Sequence, residues 1–448
     1  MRDPVRRLML LGAIGALLVL LVAGGLALLD WQPIGLADQT HLAAFVGSLC
    51  VAGALWLLAV AIVRRGRLPP RTIWLVLGVA VAMRLLTLAA PPVLSSDLYR
   101  YVWDGRVQLA GINPYRYLPA ADELAFLRDD AVYPHINRAE YALSVYPPAA
   151  QVIFALAAVV TPGALGMKVM IAAFDALAIV ALILLLRTAG RDPAELLIYA
   201  WLPLPVWESA GNAHIDGAAA GLLALAMLIA VRGRSMWTGI VLAAATLTKF
   251  LPAVVLPAFW RPPDWRLPVA FLVTLVVLYV PYSLIGWQVL GFLPGYFSEE
   301  GFASGQGIFL LQLLGRAVTL PAWASKVYVV LVLAVLGLLA ARFAFAERPA
   351  ASGARVLMQA RQAVILGTVL LVALSPHYPW YLMWLAPFAC LAPLPGVLWI
   401  LAAAPILAHG SFEYLAVPAA VYVPAGILAV IDLRRRLPAS PRALRSAQ

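Results

Sequence analysis

SSDLYRYVWDGRVQLAGINPYRY, residues Ser95 to Tyr117, follows three long apolar runs and breaks them with acids, arginines, tyrosines and a tryptophan. Within ten residues starting at Asp97 stand two aspartates, two arginines and three aromatics, directly behind Pro91-Pro92. A chain that used this region only to stay in a bilayer would place no such group there, because each charge is costly in hydrocarbon. The stretch reads as a polar loop held at a membrane surface, and the runs on either side of it decide the fold class.

Of the 448 residues, 64% are hydrophobic and only 12% are charged. The apolar runs repeatedly reach the length needed to cross about 30 Å of hydrocarbon, so an all-α polytopic membrane protein is expected. In a soluble domain the net charge of +11 would suggest a nucleic-acid partner. Here the basic residues gather in short loops between apolar runs: Arg64, Arg65, Arg67 and Arg71; Arg232 and Arg234; Arg342, Arg348, Arg355 and Arg361; Arg434 to Arg436. That is the positive-inside pattern, with the lipid bilayer as partner and no nucleic acid. The only two cysteines, Cys50 and Cys390, both lie in apolar runs, which excludes a disulfide framework and a thiolate metal site. The first run, about Leu8 to Leu29 behind Arg2, Arg6 and Arg7, is longer than a signal-peptide core and lacks a small-residue cleavage site. It is expected as a retained span with a cytoplasmic amino terminus.

Spans are predicted near 8–29, 42–63, 72–91, 165–187, 194–208, 214–231, 267–286, 323–343, 362–375, 380–393, 396–409 and 415–432. Residues 92–148 carry twelve charges and many prolines, as a large first extracytoplasmic loop would. Alternation with the arginine clusters inside requires that 149–160, 306–320 and the pair within 236–260 stay on one side, as re-entrant or interfacial pieces. A 12-residue helix covers about 18 Å, too little to cross. The count is therefore about 12 crossings, or 14 if 236–260 is a complete hairpin. Residues 1–436 are expected as a single integral-membrane unit and 437–448 as a disordered cytoplasmic tail. Arg84, inside the third run, reads as part of a translocation path or as partner of a buried acid or phosphate.

Ser95 or Ser96 offers an N-cap, and about fourteen residues without proline lead to Gly111 as C-cap and Asn113-Pro114 as stop. A short helix is predicted. Asp97, Tyr101, Asp104 and Gln108 share one face, while Leu98, Val102 and Leu109 line another. Asp97 in the first turn lies near the positive helix end, which favours a carboxylate able to accept a proton. Capping by Asp97, and pairing of Asp104 with Arg100 one turn earlier, explain the same residues structurally.

More polar points fall on the same side. WESAGNAHIDG places Glu208, Asn212, His214 and Asp216 at a turn between spans, where charges mark a site or a pathway. Lys249, at the tip of the 236–260 pair, is suited to hold an anionic phosphate; snorkelling is its structural alternative. SPHYPWYLMWLAPF, from Ser375 to Phe388, brings His377, Tyr378, Trp380, Tyr381 and Trp384 to the outer end of a span. An aromatic belt accounts for most of these, leaving His377 to be explained.

With SDLYRYVWDGR and GINPYRY opening a large loop, and NAHIDGA placed later as a GHNDAL-like turn, most of the chain resembles the GT-C superfamily of integral-membrane glycosyltransferases, in particular glycosyltransferase family 87. Three predicted spans precede the loop where many members have one, and the turn reads Ala-His-Ile-Asp for Gly-His-Asn-Asp. The resemblance implies a GT-C-like bundle and a polyprenyl-phosphate-sugar donor. It also implies transfer of a hexose, expected to be mannose, to an envelope glycan or glycolipid acceptor with inversion, at the extracytoplasmic face of the plasma or inner membrane. Asp97 would be the catalytic acid residue, with Asp104 beside it. The donor phosphate would meet Lys249, His377, Arg100 and Arg106, and the substrates Tyr101, Glu208, His214, Asp216 and Tyr378. For Lys249 the lipid phosphate is the anionic partner expected. A monophosphate leaving group does not require a metal, and no cofactor is expected, although a divalent ion is compatible with the scheme. No Gly-rich phosphate loop and no soluble nucleotide-sugar domain is present in the sequence. A secondary transporter or lipid-linked-sugar flippase is the alternative, and a non-catalytic envelope subunit a third reading.

Overall fold

The computed structural model describes residues 3–28, 39–93, 95–302, 304–409 and 415–436, and the expected tail 437–448 lies outside them. The described residues form helices and no strand. Eight helices are long and apolar enough to cross a membrane: Pro4–Leu28, Thr40–Val63, Thr72–Ala89, Ala164–Thr188, Arg266–Glu299, Ala324–Ala344, Ser352–Leu374 and Ala416–Arg435. A ninth arises if Pro203–Gly211 and Asp216–Val231, which meet at 116°, count as one broken span. The chain is thus a multi-pass all-α membrane protein, with fewer full-length helices among the described residues than the twelve to fourteen expected. The shortfall has a physical source. Runs 194–208, 380–393 and 396–409 carry Pro203, Pro205, Pro387, Pro393 and Pro405, and a proline inside a helix removes a backbone donor and clashes with the preceding turn. These runs fold as short helices, α-helical, 3-10 or π, instead of single spans.

The pieces predicted to stay on one side are short helices. They are Pro148–Val160, Phe309–Ala317, and a pair in which Ser235–Lys249 ends at Phe250 and returns through Leu251–Val255 and Leu256–Phe259. We label the first six helices α1 (Pro4–Leu28), α2 (Gln39–Val63), α3 (Thr72–Ala89), α4 (Asp97–Leu109), α5 (Pro148–Val160) and α6 (Ala164–Thr188).

Every residue from Ala194 to Gly221 is buried, so the proline-broken stretch forms the interior of the molecule. Non-helical backbone at membrane depth survives only where protein covers it and its polar groups find partners. Here Trp56 and Trp201 indoles donate to Leu197 O and Val76 O at 3.3 and 2.9 Å. Gly221 lets Asp216–Val231 press against α6, since a Cβ there would stand 2.3 Å from Phe174 O.

Three charged side chains of α3 and α6 hold this interior. Arg84 pairs with Asp175, the acid that the sequence left unnamed, and its Nη1 donates to Ala200 O at 2.8 Å. Tyr199 donates to Asp175 Oδ1 at 2.6 Å. Lys168 Nζ donates to Thr87 O at 2.9 Å and to Ala90 O, placing a cation at the negative end of α3 just before the loop begins.

Candidate active site

A cavity of about 470 Å³ opens where the first loop meets three later segments. Asp97, Asn137, Arg138 and Tyr146 come from the loop, Lys249 and Phe250 from the turn after Ser235–Lys249, Tyr296 and Glu300 from the stretch around Leu293–Glu299, and His377, Tyr378, Trp380 and Tyr381 from the segment after Ser352–Leu374.

Asp97 begins α4 as predicted, and Gly111 closes the region in the left-handed conformation at φ 75°. Ser95 Oγ accepts the Asp97 amide at 3.1 Å, and Asn137 Nδ2 donates to Asp97 Oδ1 at 3.0 Å. The side-chain amide sets the carboxylate's direction across forty residues of chain. The other polar groups of the same helix face do not join it in the cavity. Asp104 is buried, accepting from Arg100 Nε at 2.9 Å, from Gln151 Nε2 at 2.9 Å and from Ser144. Gln108 Nε2 donates to Gln151 Oε1 at 2.9 Å, and Tyr282 donates to Gln108 Oε1 at 2.9 Å. This network fastens α4 to α5. Both oxygens of Asp104, expected beside Asp97 in the site, are thus engaged away from the cavity. Arg100 reaches the cavity wall but is tied to Asp104 and to Ala142 O at 3.0 Å. Arg106 pairs with Asp129 on the loop surface, outside the cavity. Tyr101 is buried and stacked on Phe154 with centroids 4.5 Å apart, so it supports the wall without lining it.

In the turn of the buried stretch, Val206–Gly211 is π-helical, a form often found at functional sites. Glu208 Oε2 contacts His214 Nδ1 at 2.7 Å and accepts from Asn212 Nδ2 at 3.0 Å. His214 stacks on Trp380 at 3.9 Å, so Glu208 and His214 stand one layer behind the cavity wall and would not touch a substrate in it. Asp216 is fully buried and sits 3.1 Å from Lys249 Nζ. It, too, lies behind the wall. The lysine therefore has a protein carboxylate as anionic partner, correcting the expectation that only a lipid phosphate could serve. Lys249 also lies 4.2 Å from the centroid of Tyr381, whose hydroxyl meets that of Tyr296. Asp97 is within its electrostatic reach.

His377 Nδ1 is 3.4 Å from Glu300 Oε2 and its Nε2 is 3.2 Å from Gly307 O. Burial holds the His377 imidazole below its ordinary range and pushes the Glu300 carboxyl up, so both are drawn toward their neutral forms. Tyr378 stacks on Trp380 at 4.7 Å.

Backbone strain collects here as well. Among the described residues, Arg138, Ala213, Phe250 and Ser375 are the non-glycine residues with positive φ, at 57°, 55°, 59° and 48°. Arg138 and Phe250 line the cavity, Ala213 precedes the His214–Asp216 turn, and Ser375 precedes Pro376 and His377. Such conformations cost about 1–3 kcal/mol each and persist where the surroundings over-determine them.

Of the residues singled out in the sequence, the cavity gathers Asp97, Arg100, Lys249, His377 and Tyr378, with the belt residues Trp380 and Tyr381. Asn137, Arg138, Tyr296 and Glu300 were not singled out. The one signal for them was the acidic pair Glu299-Glu300 beyond a predicted span, and the rest carry no motif. Among the described residues no group of three or more His, Cys, Asp or Glu is placed to hold a metal ion.

A family model described as alpha-(1->6)-mannopyranosyltransferase, N-terminal domain, matches residues 9–261, more than half of the 448-residue chain. No curated protein and no solved structure matches. The matched stretch includes Asp97, the buried turn and Lys249.

Proposed function

This chain belongs to that alpha-(1->6)-mannopyranosyltransferase family and is a membrane mannosyltransferase of the GT-C type; on that premise we propose a polyprenyl-phosphate mannose as its donor, a glycan or glycolipid as its acceptor, and an extracytoplasmic active site in the plasma or inner membrane. Family membership favours glycosyl transfer over the transporter and assembly-subunit readings. The observation that carries the proposal is one cavity walled by a positioned carboxylate, Asp97, and an ammonium, Lys249, among aromatic rings.

In this scheme the acceptor hydroxyl gives its proton to Asp97 as its oxygen bonds to the anomeric carbon. The bond from that carbon to the phosphate oxygen breaks, and the lipid monophosphate leaves with the electron pair. Attack opposite the leaving group inverts the anomeric centre. Lys249 meets the charge growing on the phosphate. An ammonium has three N–H donors, and Asp216 Oδ2 lies 3.1 Å from it. A preorganised donor of this kind contributes about 3 kcal/mol to the transition state. Arg100, Arg138 and His377 are among the further polar groups on the wall, and the scheme needs no metal. Transfer of radiolabelled mannose from synthetic polyprenyl-phosphate mannose to membrane acceptors by the purified protein tests it, and absence of transfer with every such donor rejects it.

Lys249→Met alone would strand the buried Asp216 carboxylate, so the informative variant is Asp216→Asn/Lys249→Met, which removes both charges. Donor affinity in nanodiscs, measured by calorimetry, is expected to weaken by about 1.5–3 kcal/mol, the worth of a hydrogen bond to a charged group. Wild-type affinity in the double variant would assign the phosphate to Arg100 or His377.

Sidedness has its own check. In a protein with Cys50 and Cys390 replaced, cysteines at Ala121 and Ala351 are expected to label from opposite sides of the membrane, the first from outside. Labelling of both from one side would overturn the outward-facing site.

A further inference from the structure

A second cleft, of about 310 Å³, lies on the first loop and is lined by Tyr133, Pro134, Ile136, Arg138, Glu140 and Tyr141, with Ala139. Its volume is at the small end of the range of about 300–1,000 Å³ seen for ligand sites. Arg138 lines this cleft and the large cavity alike. The arginine is fixed: Nε donates to Glu299 Oε2 at 2.8 Å, the guanidinium lies 6.0 Å from the ring centroid of Tyr296, and the backbone is left-handed at φ 57°. Its carbonyl accepts the amides of Tyr141 and Ala142 at 3.3 and 3.0 Å, a tight turn that presents Glu140 and Tyr141 to the surface. Tyr141 makes a T-shaped contact with Phe292 at 5.8 Å and is still 56% exposed.

We propose that this cleft binds the sugar next to the reacting one in an oligosaccharide acceptor, with Tyr141 as its platform and Glu140 and Arg138 as hydrogen-bonding partners. The proposal rests on the mannosyl-transfer reading above and adds to it where the acceptor's preceding sugar is held. The chemistry fits a carbohydrate. One side of a pyranose is a patch of C–H bonds that packs on the electron-rich face of an aromatic ring, while its hydroxyls need both donors and acceptors. A guanidinium with donors to spare and an exposed carboxylate supply the two kinds. Because Arg138 stands between the cavities, a chain with its terminal sugar near Asp97 would lay its preceding sugar over the loop.

The test compares KM for two acceptors, octyl α-mannoside and the octyl glycoside of α-(1->6)-linked mannotriose, with polyprenyl-phosphate mannose as donor and the full chain in nanodiscs. The wild type is expected to favour the triose. Tyr141→Ala is expected to lose about fivefold to tenfold of that preference, the worth of one stacked ring, and Tyr141→Phe to keep it. A wild type indifferent to acceptor length, or a preference that persists in both Tyr141→Ala and Glu140→Ala, overturns the proposal and leaves Tyr141 as an interfacial anchor. If the wild type transfers nothing from this donor, the donor reading has failed and the cleft is decided by calorimetry with the triose glycoside. Weaker binding to Tyr141→Ala than to wild type then supports it. Equal binding, or none to the wild type, overturns it.

Discussion

Asp97→Asn is expected to lower turnover by about 10²-fold to 10⁴-fold, the range contributed by a positioned acid or base. The substitution keeps the side-chain volume and the oxygen that accepts from Asn137, and the Ser95 contact at the start of α4 involves the backbone of residue 97. Fold and donor binding should therefore persist. Single-turnover transfer of labelled mannose, measured beside donor affinity, separates the two effects. Near-normal turnover with intact donor binding would take the proton-accepting role away from Asp97. Asp104→Asn is expected to behave differently. Its carboxylate holds Arg100, Ser144 and Gln151, so the loss should appear as a lower unfolding temperature and a looser attachment of α4 to α5.

The largest structural penalty is expected at Asp175→Ala. Arg84 would keep its charge inside the helix bundle with one hydrogen bond to Ala200 O and one to Ala80 O, and Tyr199 would lose its acceptor. Breaking a buried pair from one side costs about 3–5 kcal/mol, because the remaining charge is uncompensated. Removing both in Arg84→Met/Asp175→Leu is expected to cost much less. Thermal unfolding in detergent should show a clear drop for the single variant and partial recovery for the double one. A midpoint equal to wild type in Asp175→Ala would show that water or lipid headgroups already reach Arg84.

Local features were legible in the sequence because local physics determines them. The start of α4 at Asp97, the left-handed Gly111 and the end of a helix at Lys249 follow from caps, glycine and run length. The fate of the polar face of α4 does not. Asp104 and Gln108 look exposed until Ser144 and Gln151, forty residues on, supply partners for them. Hydropathy likewise reports that 194–208 belongs in an apolar setting without saying whether lipid or protein provides it. In this chain protein does, and the run is broken into short helices around Pro203 and Pro205. Tyr296 and Glu300 escaped notice since nothing in their own neighbourhood shows that they will stand opposite Asp97.

The stretch from Ala194 to Gly221 has a consequence for how the chain is made. Covered on every side, it takes part of its enclosure from residues made much later: His214 from Trp380, Ser209 from Met383 at 3.5 Å, and the carbonyl of Glu195 from Cys390 at 3.7 Å. When the ribosome has finished the turn at Asp216, none of those partners has been translated. For more than a hundred and sixty residues of further synthesis, Glu208 and His214 must wait at a translocon wall or in a half-open bundle. Shielding of the stretch until the Pro379–Leu391 segment arrives is therefore expected to be part of this protein's assembly.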